Sequence, residues 1–134
     1  MVGRLTPLAS RLAGSLWPGP LTVLIAALPV VPASIHGGSG RVAVRVPDHA
    51  VARGLAHALG HPIISTSANR TGTPAASTPD EVAATLGDVI GLLLDAGATP
   101  GGLPSTIVDA SGAEPRLVRV GAVAWARVLE SVAG

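Results

Sequence analysis

The chain has 134 residues, enough for one domain with its own core; 48% are hydrophobic, the only aromatics are Trp17 and Trp125, and there is no cysteine. The lack of cysteine excludes a disulfide framework and a thiolate metal site. All nine cationic side chains are arginine, spread along the chain against eight acids for a net charge of +1, which disfavours a nonspecific nucleic-acid binder with a clustered basic face.

Leu5, Leu8, Leu12 and Leu16 recur three and four apart, which predicts an amphipathic helix from Thr6. Thr6 is placed to cap it, Pro7 fits its first position, and Trp17-Pro-Gly-Pro stops it. Residues 21–28 read as a buried strand and residues 29–40 as a loop ending in Gly37-Gly-Ser-Gly. The most apolar run, 21–33, is interrupted by Pro29 and Pro32 and is too short to span a bilayer. Met1-Val-Gly-Arg does not open a signal peptide, so a cytoplasmic protein with no membrane partner is expected.

Residues 41–47 alternate: Val42, Val44 and Val46 face one side of a strand, Ala43 and Arg45 the other. Asp48 is the expected cap of a helix that runs to Leu59 and stops at Gly60. Residues 62–65 predict the next strand. The chain then turns polar at once, with Ser65, Thr66, Ser67, Asn69, Thr71 and Thr73 in nine positions. A polar loop at a strand end is where open α/β sheets bind ligands, while the same residues also serve turns and helix caps. Ser77 or Thr78 caps a short helix with Pro79, Asp80 and Glu81 in its first turn. Residues 89–94 predict an inner strand, 95–104 a glycine-rich loop, 105–110 and 116–120 two strands, and 122–132 a closing helix. Interleaved strands and helices argue for an α/β layered domain with a mixed sheet.

No single catalytic motif is present. There is no phosphate-loop, nucleophile-elbow or His-Glu-x-x-His signature, and His36, His49, His57 and His61 have no metal-ligand spacing. Arg45, on a strand expected to be half buried, needs an anionic partner: a ligand, or Asp48 or Asp95 within the chain. Arg116 and Arg119, three apart on a strand, are expected to face opposite ways. The loop 97–102 would let main chain approach a phosphate, although hairpin loops carry glycine for backbone reasons alone.

Five segments occur in a recognisable order: Trp17-Pro-Gly-Pro-Leu-Thr, Val42-Ala-Val-Arg-Val-Pro-Asp-His, Ser65-Thr-Ser-Ala-Asn-Arg-Thr-Gly, Gly101-Gly-Leu-Pro-Ser-Thr-Ile-Val-Asp and Arg116-Leu-Val-Arg-Val-Gly-Ala. Together they resemble the YrdC-type threonylcarbamoyl-AMP synthase family over nearly the whole chain. The resemblance implies a twisted mixed α/β sheet flanked by helices, with a concave groove. It implies that L-threonine, bicarbonate and ATP, with Mg2+, give threonylcarbamoyl-AMP and pyrophosphate for tRNA threonylcarbamoyladenosine modification. By motif position, Arg45, Ser65 and Ser105 would hold threonine; Ser67, Asn69 and Arg119 would contact ATP; and Thr22 and Arg41 would line the same groove. A threonine carboxylate suits the fork of Arg45. Adenylyl transfer needs positioning and charge neutralisation more than a covalent nucleophile, so the hydroxyls are expected to bind rather than attack.

Members of that family open with a strand, a Pro-Thr-Glu-Thr-x-Tyr-Gly-Leu run and a Lys-x-Arg pair that grips ATP. This chain has no lysine and no tyrosine, so residues 1–134 are expected to form a single YrdC-like domain lacking that segment, as a fragment or a shortened paralogue. Uncovered apolar sheet surface would then favour a homodimer. The alternative is a noncatalytic module of the same fold that binds nucleotide or double-stranded RNA; a third reading is carbamoyl transfer to another acceptor.

Overall fold

Period-two alternation along one strand sets the architecture. In a computed structural model that describes residues 1–133, Leu21–Ala27 forms the strand on which a five-stranded sheet is built. The elements run β1 (Gly3–Arg4), α1 (Pro7–Leu16), β2 (Leu21–Ala27), α2 (Ala33–His36), β3 (Arg41–Val44), α3 (Ala50–Leu59), α4 (Pro79–Leu86), β4 (Thr106–Asp109), β5 (Arg116–Arg119) and α5 (Trp125–Glu130). Strand β2 pairs antiparallel with β1 and β3 and parallel with β4; β4 pairs antiparallel with β5. The expected mixed α/β sheet is therefore present.

Leu21, Val23 and Ile25 point to one side of β2 and are buried. The strand register sets Val42 and Val44 on β3, and Thr106 and Val108 on β4, beside them. Leu8 and Leu12 of α1 and Val128 of α5 complete the cluster. Each such side chain contributes about 1.5–3 kcal/mol by leaving water. Thr106 is the polar member, and its hydroxyl donates to Val123 O at 2.6 Å and accepts from Val123 N at 3.0 Å. Thr6 caps α1 as predicted: its Oγ1 accepts from Ala9 N at 3.0 Å and donates to Ala110 O at 2.8 Å, fastening the helix to the end of β4.

The chain divides into two compact units, Met1–Pro62 with Leu103–Gly134, and Ile63–Gly102. The first contains every strand above and all the helices except α4. In the second, Thr78 caps α4 in a capping box with Glu81, and Arg70 grips Asp88 through both carboxylate oxygens at 2.7 and 2.9 Å.

Several boundaries differ from the sequence expectation. His49, not Asp48, caps α3, its Nδ1 accepting from Ala52 N at 3.3 Å, because Asp48 is turned to Arg53 instead. Gly60 ends that helix in the left-handed region at φ 71°, as expected. The loop 29–40 contains the single turn of α2, and α5 is shorter than 122–132. Residues 62–65 and 89–94 are not strands. A strand is fixed by a neighbour that takes its backbone hydrogen bonds, and among the described residues neither run has one. Ile64, Val89 and Leu92 are exposed.

Candidate functional site

The residues that alternate with the core of the first unit form the opposite face of the sheet, polar at Thr22, Arg41 and Asp109 and apolar between them. On β2 they are Thr22, Leu24 and Ala26, on β3 Arg41 and Ala43, and on β4 Ile107 and Asp109. Strand β5 adds two arginines to this face by way of a bulge. Ile107 pairs with Arg119 whereas Val108 pairs with Leu117, so Val118 is an extra residue. Arg116, opposite Asp109, and Arg119, opposite Ile107, therefore share one side. Their expected opposition is corrected by that one inserted residue, which resets the alternation.

Ser105, one residue before β4, is buried on this face. Its Oγ lies 2.8 Å from Thr22 Oγ1, a consequence of the parallel pairing of Thr22 with Ile107. Arg119 Nη2 donates to Ser105 O at 2.7 Å and to Ser105 Oγ at 3.1 Å, and Nε adds a bond to the same carbonyl at 3.2 Å. Two hydroxyls that share one hydrogen bond leave one proton for an outside acceptor. A buried hydroxyl, a second hydroxyl and a guanidinium in contact make a good cradle for a carboxylate or phosphate oxygen. The hydroxyl's partners are an alcohol and a cation, neither of which would take its proton, so the cluster is built to bind and not to attack.

A second cluster surrounds Asp109, whose side chain is only 3% exposed. Its Oδ2 accepts from Arg41 Nη1 and from Arg116 Nη2, the latter at 2.8 Å. Its Oδ1 accepts from Ser111 N at 3.0 Å and Ser111 Oγ at 2.6 Å. Burial alone would raise this carboxyl's pKa. The Ser111 hydrogen bonds, the Arg116 hydrogen bond and the charge of Arg41 override it and hold the group well below the usual carboxylate range.

Arg45 lies one residue beyond β3 and is exposed, not half buried, because the strand has already ended. It pairs with neither Asp48 nor Asp95: its Nε donates to Gly19 O at 2.9 Å, Asp48 holds Arg53, and Asp95 Oδ1 accepts from Gly97 N at 2.8 Å. The turn that presents this carbonyl requires glycine, since a Cβ at Gly19 would meet Leu16 O at 2.5 Å. Trp17 anchors the same turn, its Nε1 donating to Leu21 O at 2.8 Å.

Ser65, Ser67 and Asn69 belong to the second unit. Ser65 and Ser67 are exposed. Asn69 Nδ2 donates to Arg70 O at 3.0 Å and Thr73 O at 2.9 Å, which closes the polar loop on itself. Its Oδ1 is buried and has no hydrogen-bond partner among the described residues, an acceptor left for a donor from outside. No group of three His, Cys, Asp or Glu side chains among the described residues is placed to hold a metal.

The structure thus brings Thr22, Ser105 and Arg119 together, sets Arg41 on the same sheet face, leaves Arg45 past the end of β3 against the Gly19 turn, and places Ser65, Ser67 and Asn69 in the other unit. Sequence reasoning gave Asp109 and Ser111 no role. The signal was available for Asp109: it stands two residues after Ile107 and four after Ser105, so alternation alone puts it on the arginine side.

Comparison with known proteins identifies relatives of the chain. The family model for Sua5, YciO and YrdC proteins, described as "Telomere recombination", matches residues 1–121. The chain is 39% identical over 113 residues to the threonylcarbamoyl-AMP synthase of Pyrococcus abyssi, covering 84% of this chain and 33% of that protein. It is 45% identical over 97 residues to the threonylcarbamoyl-AMP synthase of an Enterobacter species, covering 72% and 50%. Among solved structures it is similar to Pyrococcus abyssi Sua5 complexed with L-threonine, at TM-score 0.89 and 34% identity over 98% of this chain and 39% of that one. Escherichia coli YciO superimposes at TM-score 0.70 with 28% identity, over 90% and 59%. The chain spans roughly a third to a half of the length of these two curated relatives.

Proposed function

The chain belongs to the Sua5, YciO and YrdC family, and from that membership we propose that it acts as a threonylcarbamoyl-AMP synthase domain. It would convert L-threonine, bicarbonate and ATP to threonylcarbamoyl-AMP, pyrophosphate and water, in the cytoplasm, for the proteins that transfer the threonylcarbamoyl group to tRNA. The observation that carries this reading is the Thr22–Ser105–Arg119 cluster, a buried hydroxyl and a guanidinium on a face with three arginines and one carboxylate. That chemistry suits two anionic substrates.

Arg45 and Ser105 are assigned to threonine. Anchoring Nε on the Gly19 carbonyl steadies the guanidinium without neutralising it, so its charge remains for the amino acid's carboxylate. Arg119 is assigned to the ATP phosphates, with Thr22 beside it; Arg41 lines the same face but is engaged by Asp109. Within the other unit, Ser65 is assigned to threonine and Ser67 and Asn69 to ATP by their motif. The unpaired Asn69 Oδ1 suits a hydroxyl or amine of a nucleoside.

In the product a carbamate oxygen is bonded to the α-phosphorus, so the step that makes it forms an O–P bond and releases pyrophosphate. The protein's part is to hold two anions together and to offset charge on the phosphate oxygens. Mg2+ would enter with the ATP phosphates. Asp109 is the one acid among the strand residues of this face, and both its oxygens are already bonded, so those strands offer the ion no free carboxylate.

Calorimetric titration of ATP, with and without threonine and bicarbonate in the presence of Mg2+, tests the proposal. Threonine-dependent tightening of ATP is expected. ATP binding indifferent to threonine would leave a nucleotide-binding module, and no heat from either ligand in a folded sample would reject both.

A further inference from the structure

We infer that Asp109 is a positioning residue: an internal counter-ion that withdraws Arg41 and Arg116 from ligand binding and leaves Arg45 and Arg119 to meet the substrate anions. The inference deepens, and rests on, the reading of the polar face as the site for ATP and threonine.

Three arginines reach this face from the two outer strands, Arg41 from β3 and Arg116 and Arg119 from β5, and a fourth, Arg45, follows the end of β3. Nothing in their sequence spacing sorts them, but their partners do. Among the described residues Arg119 and Arg45 donate only to neutral oxygens, the Ser105 carbonyl and hydroxyl and the Gly19 carbonyl. A neutral acceptor orients a guanidinium and leaves its charge in place. Arg41 and Arg116 converge on one atom, Asp109 Oδ2. The carboxylate is almost fully buried while its two partners remain partly exposed, with 40% and 72% of their side chains accessible.

The geometry makes this a fixed assignment. Arg116 lies directly across from Asp109 in the β4–β5 register, so that contact follows from strand pairing. Arg41 reaches across β2, a whole strand, to arrive at the same oxygen. Ser111 occupies the other oxygen with its backbone and side chain, so the carboxylate cannot rotate away without losing two bonds. A phosphate approaching Arg41 or Arg116 must compete with a carboxylate already in place. At Arg119 or Arg45 it meets no such competitor among the described residues.

The test uses inorganic tripolyphosphate as the anion, titrated into the purified chain at two ionic strengths. Asp109→Asn keeps the size of the side chain and removes the negative charge that engages both guanidinium groups, so tripolyphosphate affinity should rise about fivefold to tenfold, with a steeper salt dependence than wild type. A residue that only supported the fold would give a loss or no change. Two further variants carry the test if Asp109→Asn does not fold. Arg116→Gln should bind tripolyphosphate within about twofold of wild type, and Arg119→Gln at least about fivefold more weakly. Unchanged or weaker binding in folded Asp109→Asn, or equal losses in the two arginine variants, overturns the inference. Because tripolyphosphate is none of the three proposed substrates, wild type that shows threonine-dependent ATP binding alongside a failed Asp109→Asn prediction sinks this inference alone. Its converse, a tripolyphosphate gain without threonine-dependent ATP binding, sinks the synthase reading alone.

Discussion

Arg45 and Asp109 sit at opposite ends of the scale of structural cost. Arg45 is exposed and makes one hydrogen bond among the described residues, to the Gly19 carbonyl, so Arg45→Ala should lower stability by no more than about 1 kcal/mol. The same change removes the charge assigned to the threonine carboxylate, and calorimetry should show threonine binding lost. Unchanged threonine affinity would reject the assignment. Asp109→Ala is the reverse case, because it strips two guanidinium groups and two Ser111 donors of a buried partner. Urea unfolding should show a loss of about 3 kcal/mol. The pH dependence follows from the direction of the shift. The folded-state pKa of Asp109 lies below its unfolded value of about 3.9, so its contribution is fully present above about pH 4. It is lost as the pH falls below that value toward the folded-state pKa. Wild type should therefore lose stability faster than Asp109→Asn over that acid range, and parallel profiles would show that Asp109 is not the group responsible.

Gly121 shows how an element boundary holds the site together. A Cβ there would meet Pro104 O at 2.3 Å, Ser105 C at 2.5 Å and Thr106 N at 2.5 Å, all backbone atoms that cannot swing aside. The segment after β5 lies against the start of β4 at this point, with Ala122 N bonded to Pro104 O at 2.9 Å. Gly121→Ala should cost about 2 kcal/mol by overpacking. It should also weaken threonine-dependent ATP binding, because the displaced backbone carries Ser105. A variant as stable as wild type, with intact ligand response, would contradict that close approach. The sequence showed the elements whose signals are local: the Thr6–Pro7 start of α1, the Thr78–Glu81 box of α4 and the valine alternation of β3. It misread 62–65 and 89–94, because an apolar run becomes a strand only when a neighbour accepts its hydrogen bonds, and that is a property of the whole sheet. The same limit hid part of the site. Counting residues from Arg116 to Arg119 predicts opposite faces, and only the β4–β5 register reveals the inserted Val118 that aligns them. Ser105, Arg119 and Thr22 were legible as motif members, but their mutual contact depends on the parallel pairing of β2 with β4, which no local pattern encodes.

The two units differ in what holds them. The first carries the buried aliphatic cluster, with Leu12, Leu21, Val23, Val108 and Val128 fully enclosed. In Ile63–Gly102 no described residue is buried, and the order there rests on the α4 capping box, the Arg70–Asp88 pair and turn hydrogen bonds. Such contacts contribute about 1 kcal/mol each or less, whereas each enclosed side chain of the first unit contributes more. Local opening of the second unit should therefore cost much less free energy than global unfolding. Native-state hydrogen exchange should show the amides of Val23 and Val108 exchanging only through global unfolding. Amides in 63–102 should exchange at least about a hundredfold faster, the ratio that a gap of ~2.8 kcal/mol produces. Ser67 and Asn69 lie in this weakly held unit, so a nucleotide that completes the bonding of Asn69 Oδ1 must order the loop as it binds. Added ATP should then slow exchange across 65–73 by mass action while Val23 and Val108 change less. Equal protection in both units without ligand would mean that 63–102 draws stability from contacts beyond its own caps and ion pair. Exchange in 65–73 that ignores saturating ATP would remove Ser67 and Asn69 from the nucleotide site.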